Sequence, residues 1–295
     1  MTVTHFIPPG GSAAGDRLAT LVNTPVAVSG ATTAVINKHH DCTGASAYTV
    51  TLPAVSGNTG KYLSFLGNQD AGIVITIDGA SAETINDYAN LPLLKGAYLE
   101  LYCDGTDWWV VSPGDLVVAA IVAVNVAAVS FPDGTFLTGK DYTVEGSDIV
   151  PRTDNTTLAC RLYVAGAFQS GASDYHYLYS AQRTGSVTPV VVGDLTNSSI
   201  QLTPADANFL LGNASGEAAT MFLSIRNPGG TSYYKPIDCR VAYMTNITQA
   251  AFCNSGGAYV GVTSGSPLAA ITGIEFFMLN GANMDGVFVV RERRR

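Results

Sequence analysis

Apolar residues along this chain recur with a period of two over short stretches, and almost nowhere with the three-and-four spacing of a core-length helix. Between residues 31 and 112, six runs read as strands: Ala34-Val35-Ile36, Tyr48-Thr49-Val50-Thr51-Leu52, Tyr62-Leu63-Ser64-Phe65-Leu66, Ile73-Val74-Ile75-Thr76-Ile77, Tyr98-Leu99-Glu100-Leu101-Tyr102 and Trp108-Trp109-Val110-Val111. Turn signals separate them, among them Ser56-Gly57-Asn58, Asp78-Gly79 and Asp104-Gly105-Thr106-Asp107. From 132 to 295 ten further strands are expected: Asp141–Val144, Thr157–Val164, His176–Tyr179, Val187–Val192, Ser199–Thr203, Thr220–Arg226, Cys239–Met244, Gly257–Val262, Ile271–Leu279 and Gly286–Val290. Their spacing is that of a sandwich or jelly roll.

Two segments fall outside this rhythm. Residues 1–30 read as an arm: Pro8-Pro9-Gly10-Gly11 breaks any regular element, Asp16 to Val22 forms at most a short helix, and Phe6, Ile7, Leu18 and Leu21 suit docking on another protein. A frayed terminus is the plain alternative. Residues 113–131 read as a connector with two conformations open to it. The valines and isoleucines of LVVAAIVAVNVAAVSF favour a buried strand, while Val117, Ile121, Val124, Ala128 and Phe131 fall at the alternating spacing of a short coiled-coil seam. Either way these groups need cover, which copies of the chain around a symmetry axis would supply. The expected class is therefore all-β: arm 1–30, small β domain 31–112, apolar connector 113–131 and jelly-roll or β-sandwich domain 132–295.

Composition sharpens this. The 295 residues suffice for two cores, and charged residues are only 13% against 47% hydrophobic. That is about half the ~25% charge of soluble domains, so sister subunits or neighbouring proteins are expected to cover part of the surface. A net charge of −8 argues against a duplex nucleic-acid binder, which needs a basic face. The five cysteines, Cys42, Cys103, Cys160, Cys239 and Cys253, form no CxxC pair and read as buried strand thiols. The start MTVTHFIPPGG has neither the basic nor the apolar region of a signal peptide. The apolar run from Leu116 to Val129 is too short and Ala-rich to span a bilayer. These features imply a soluble product of a cytoplasm, without membrane partners. N-x-S/T triplets at Asn155, Asn197, Asn213 and Asn246 carry no weight in that setting.

A resemblance emerges from ordered motifs. In the first domain, Thr51-Leu52-Pro53, Gly60-Lys61, Ile77-Asp78, Glu83-Thr84-Ile85, and Asp104-Gly105-Thr106 followed by Trp108-Trp109 stand in the order and spacing of a small β module. This region resembles modules of tailed-bacteriophage tail-fibre and related virion proteins. Near the C-terminus, Ile271-Thr272-Gly273-Ile274-Glu275-Phe276 and Gly281-Ala282-Asn283-Met284-Asp285-Gly286-Val287-Phe288 resemble the last two strands of jelly-roll-like domains of phage fibre and structural proteins. Here one residue (Ala282) is inserted, Met284 replaces the aliphatic, and Arg291-Glu292-Arg293-Arg294-Arg295 replaces the usual end. The resemblance implies a virion structural protein, a homotrimeric tail fibre or receptor-binding projection. It would be attached to tail or capsid proteins through its arm and would touch host surface glycan. A capsid decoration or head-fibre protein is the alternative, and a polysaccharide-degrading enzyme the third.

No chemistry asserts itself. His39-His40-Asp41-Cys42 places metal-capable side chains in sequence, but strand neighbours point to opposite faces, so at most two could share an ion, and a zinc site wants three or four. GxSxG, HExxH and P-loop spacings are absent from the sequence. Acidic residues stand in turn contexts such as Asp78-Gly79, Asp104-Gly105 and Asp133-Gly134, where the side chain bonds local backbone. The expectation is a non-enzyme without cofactor or metal. Binding candidates are aromatic. Tyr175, Tyr177 and Tyr179 alternate along one strand face, and Tyr233-Tyr234 stand side by side; such rings suit sugars, although packing into a core or subunit contact is the commoner use. The Arg-rich end is expected to be a solvated tail, with phosphate pairing the other use.

Overall fold

A computed structural model describes residues 25–111, 114–186, 188–261 and 266–293. Every regular element among them is a β-strand, and no helix is long and apolar enough to cross a membrane. Two compact units divide the chain after Ala120. Most of the segment read as an arm, residues 1–24, lies outside the described residues.

The first unit contains β1 (Val26–Val28), β2 (Thr32–Thr33), β3 (His39–Cys42), β4 (Thr49–Thr51), β5 (Tyr62–Gly67), β6 (Ile75–Asp78), β7 (Asn90–Leu93), β8 (Tyr98–Cys103) and β9 (Trp108–Val110). From β1 to β6 successive strands alternate between two sheets, ordered β1-β3-β5-β8-β9 and β2-β4-β6-β7. The pairings β1–β3–β5 and β2–β4–β6 are parallel, whereas β6–β7, β5–β8 and β8–β9 are antiparallel. The chain thus coils three times between the two sheets before an antiparallel pair in each, β6–β7 and β8–β9, closes it. Val28 stands beside Cys42, and Cys42 beside Gly67. The coils differ in length, so no fixed sequence period betrays them. Several assignments change: Val26–Val28 belongs to a sheet although it lay in the expected arm, Ala34-Val35-Ile36 is not a strand, and Thr32–Thr33, His39–Cys42 and Asn90–Leu93 are strands that the alternation did not announce.

The ordered motifs of this region are the fastenings of the coil. Trp108 is buried, and its Nε1 donates to Pro53 O at 3.1 Å, joining the ends of the motif set. Asp104 Oδ1 accepts from the N–H of Thr106 and of Asp107, at 2.7 and 2.9 Å, and its Oδ2 accepts from Trp109 Nε1 at 2.8 Å. These donors hold the Asp104 carboxyl below its ordinary range against the opposing cost of desolvation. The Glu83 carboxylate accepts from Val55 N at 2.9 Å.

The second unit takes in β10 (Leu116–Val126), within which the division falls, then β11 (Ala128–Phe131), β12 (Asp141–Pro151), β13 (Leu158–Val164), β14 (Ala167–Phe168), β15 (Tyr175–Arg183) and β16 (Val190–Asn197). It continues through β17 (Ile200–Gln201), β18 (Ala219–Arg226), β19 (Pro236–Met244), β20 (Ala250–Tyr259), β21 (Ile271–Met278) and β22 (Met284–Arg293). An eight-stranded sheet, β10-β22-β12-β18-β19-β20-β15-β16, faces a five-stranded one in which β11-β21-β13-β14 run in order and β17 pairs β13. The pairs β10/β11, β12/β13 and β21/β22 each send one strand to either sheet, the jelly-roll-like crossing of an all-β sandwich. Both sheets line one core: the Phe276 and Phe288 rings lie 5.4 Å apart, and Tyr175 Oη accepts from Leu162 N at 2.9 Å.

The connector adopts the extended alternative, so its helical seam does not form. Val117 and Ile121 are half-buried, Val124 is 67% exposed, Ala128 is half-buried and Phe131 is buried. In a pleat Val117 and Ile121 share a face from which Val124 is excluded. The Arg-rich end likewise belongs to the sheet through Arg293: Arg291 Nε pairs with Glu145 at 3.0 Å, and Glu292 with Lys140 at 3.1 Å. Arg294 and Arg295 lie outside the described residues.

Candidate functional site

Strict alternation builds the site. In β18, Ala219, Met221, Leu223 and Ile225 are buried while Thr220, Phe222 and Arg226 face outward; in β19, Ile237, Cys239, Val241 and Tyr243 are buried while Pro236, Asp238 and Arg240 face outward. Antiparallel register sets Ser224 opposite Asp238 and Ile225 opposite Ile237. Arg226 and Asp238 therefore stand diagonally on the outer face where the hairpin ends.

The loop between these strands, residues 227–235, is pinned at both ends. Asn227 N donates to Asp141 Oδ1 at 3.0 Å, and Asn227 Oδ1 accepts from Gly139 N at 2.7 Å. Gly229 is pressed against a neighbouring segment so closely that a β-carbon there would lie 2.7 Å from Thr138 N, and its carbonyl accepts from Thr138 Oγ1 at 3.0 Å. At the far end Lys235 is buried, with Nζ donating to Leu268 O at 2.8 Å and Ala269 O at 2.7 Å. Burial pulls its ammonium below the ordinary lysine value. What projects from this clamp is Ser232, Tyr233 and Tyr234, the two rings being 79% and 58% exposed. With Arg226, Pro236 and Asp238 they line a pocket of about 520 Å³. Two aromatic faces, one guanidinium, one carboxylate and hydroxyls on a fixed hairpin form a surface that can stack a ring and bond its polar groups.

The five tyrosines singled out from sequence divide sharply. Tyr233 and Tyr234 are at this pocket. Tyr175, Tyr177 and Tyr179 are buried, which corrects their reading as a sugar-binding face: alternation points them into the sandwich, leaving His176 and Leu178 on the other side. Tyr175 Oη donates to Gln169 O at 3.0 Å and packs edge-on to Tyr259 at 5.7 Å, while Tyr177 and Tyr179 stack at 6.1 Å. Desolvation raises all three phenols, Tyr177 to about 12. Arg226 and Asp238 were not singled out from sequence. Their signal was the outward phase of two strands flanking Tyr233-Tyr234, visible once the hairpin register is known.

The other constellations are structural. His40 is buried, its Nε2 accepts from Val35 N at 2.9 Å and its Nδ1 lies 3.1 Å from Ser64 O. His39, on the opposite face of β3, contacts Ser64 Oγ at 2.9 Å. No group of three metal-capable side chains occurs among the described residues. All five cysteines are buried free thiols within strands; burial pushes Cys42 up to about 11 and Cys253 to about 12.

No protein-family model matches the sequence, nor does any curated protein. Among solved structures, the chain bears a slight likeness to the enzymatically active domain of tailspike protein 2 of bacteriophage CBA120, at 12% identity and a TM-score of 0.26, over 92% of this chain and 50% of that one. A structure of infectious bursal disease virus, Gt strain, gives 11% identity and a TM-score of 0.11 over 73% and 56% of the two chains. The chain spans half the length of the tailspike chain and 56% of the viral one. Scores this low carry no argument, so the site is read from its own geometry.

Proposed function

We propose that this chain is a structural protein of a tailed-phage virion, a homotrimeric fibre-type projection that binds surface glycan of the bacterial host through the β18–β19 pocket. The observation that carries the glycan reading is the pair Tyr233 and Tyr234, held exposed beside a mainly apolar pocket that also presents Arg226, Ser232 and Asp238, by a loop whose ends are clamped. Large aromatic rings ordinarily hide in cores or contacts; two side by side on a fixed scaffold favour recognition over packing. The virion assignment is supported by the ordered fibre-module motifs, the all-β architecture and the low charge. Trimerisation would multiply a weak single contact, raising avidity by ~10²–10⁴. We read the pocket as binding without cleaving, because Asp238 is the sole acid among its described lining residues and glycoside cleavage uses two carboxylates.

The test is adhesion of the purified full-length protein to host cells. Tyr233→Ala and Tyr234→Ala are expected to weaken it at least about tenfold each, equivalent to ~1.4 kcal/mol, with unchanged circular dichroism. Undiminished cell binding by both variants, together with coating of purified capsids, would replace this reading with capsid decoration. A fall in viscosity of capsular polysaccharide on incubation would instead make the protein an enzyme.

A further inference from the structure

Resting on the glycan reading and narrowing it, we infer that the β18–β19 pocket selects an acidic sugar of the hexuronate type. Its carboxylate would be received by Arg226, its hydroxyls by Asp238 and Ser232, and a ring face by Tyr233 or Tyr234. Two of the pocket's lining residues are basic, Arg226 and Lys235. Lys235 is turned inward and held by two backbone carbonyls, so its ammonium is not offered to a ligand. Arg226 is exposed. The ion pairs among the described residues are Lys140–Glu292, Arg152–Asp285, Arg161–Glu275 and Arg291–Glu145, and Arg226 belongs to none. The carboxylate directly across the ladder, Asp141, is buried and receives the Asn227 N–H. The guanidinium is thus left facing the pocket, beside two exposed rings.

A guanidinium presents a planar fork of donors that matches a carboxylate in two parallel hydrogen bonds. A neutral sugar offers it hydroxyls only, a weaker and less directional match. Asp238 supplies the complementary preference: a carboxylate accepts the hydroxyls that a uronate ring also carries. The same pair argues against a phosphomonoester. That group brings nearly two negative charges to a pocket whose single available cation among the described residues already has Asp238 as its diagonal neighbour. Nor would the chain hold polyanions unselectively, since its net charge is −8. Attraction must come from the local site, and at physiological salt the rest of the surface is screened beyond ~8 Å.

Full-length protein should be passed over immobilised oligoglucuronate, oligogalacturonate and oligomannuronate, each beside its carboxyl-reduced counterpart, at physiological salt. The native protein is expected to bind at least one acidic form about tenfold more tightly than its reduced partner. Arg226→Gln should erase that preference, leaving equal weak binding to both, and Arg226→Lys should restore part of it. Because Arg226 is exposed on the outer face, both variants should keep the native circular dichroism. Equal native binding to acidic and reduced forms, a preference that survives Arg226→Gln, or no binding to any hexuronate would each overturn the inference. The glycan reading stands apart from these results: it survives if Tyr233→Ala and Tyr234→Ala still weaken adhesion to cells, and falls if they do not.

Discussion

The His40 side chain decides how one turn of the first coil is closed. Its Nε2 takes the Val35 N–H, which fixes the remaining proton on Nδ1, directed at Ser64 O, and its ring lies on Phe65 at 4.9 Å. Only a neutral imidazole can do this, since the imidazolium has no acceptor nitrogen. Burial, and secondarily the charge of neighbouring His39, hold its pKa below the ordinary 6.5. The unfolded chain then binds a proton near 6.5 while the folded one resists, so this contribution to stability is complete above that pH and is lost as pH falls below it. Trp108 and Trp109, both in the first unit, report the event separately from the sandwich. The urea midpoint followed by tryptophan fluorescence should fall between pH 7.5 and 5. In His40→Gln it should be lower at pH 7.5 and nearly flat over that interval; an equally steep native-like slope in the variant would assign the titration elsewhere. The role of His40 was not legible in the tetrapeptide His39-His40-Asp41-Cys42, which reads as a loop or a strand end. Ser64 and Val35 reach it only through the parallel pairing of β3 with β5 and the turn before β3, and a parallel neighbour leaves no local sequence signal.

At the scale of elements, legibility followed the cleanness of alternation. The ten strands expected after residue 132 all overlap strands, best where segments such as Thr220–Arg226 and Ile271–Leu279 bury one face and solvate or pair the other. Val187–Val192 meets only the start of β16 and Gly257–Val262 only the end of β20, Val187 and Val262 lying outside the described residues. The misses are strands without that contrast. β3 carries His and Asp, β7 carries Pro92, and β1 is only Val26–Val28. β10 is the instructive case. Its valines and isoleucines satisfied strand and seam patterns at once, and the structure resolves this as a strand ending near Asn125, a residue with φ of +55°. Asn125 N donates to Asp285 Oδ1 at 2.6 Å, which ties that end to the last strand. Val124, just before it, is 67% exposed in the single chain. That makes it a selective probe of assembly. Val124→Asp should leave the subunit folded, but if copies cover this edge, as the proposed trimer requires, it buries an unpaired charge in each, costing roughly several kcal/mol per site. Light scattering should give three times the chain mass for the native protein and the chain mass for Val124→Asp, with unaltered circular dichroism. A trimer that tolerates the aspartate would place the contact elsewhere.

For the whole molecule, the question is where the sandwich begins. The sequence points to residue 132, after an apolar connector, because nothing within residues 113–131 alternates cleanly between apolar and polar. In the structure the end of that connector is part of the sandwich itself. Ala128–Phe131 forms β11 and pairs antiparallel with β21, Val129 opposite Phe276 and Phe131 opposite Ile274. Val129 and Phe131 are both buried, and the Phe131 carbonyl lies so close to Gly273 that a β-carbon there would sit 2.3 Å from it. A chain cut at 132 would lose these side chains, worth about 1.5–3 kcal/mol each by burial, and would strip one edge of β21 of its hydrogen-bonding partner. It would also lose β10, the neighbour of β22. Against the usual 5–15 kcal/mol of a folded domain, that loss is a large share. Residues 114–293 should therefore fold alone, with cooperative thermal unfolding by far-ultraviolet circular dichroism. Residues 132–293 should melt at least 10 °C lower or fail to unfold cooperatively, on the scale of several degrees per kcal/mol for a domain of this size. Matching melting curves for the two fragments would show that β10 and β11 merely decorate the sandwich, and that its core closes without them.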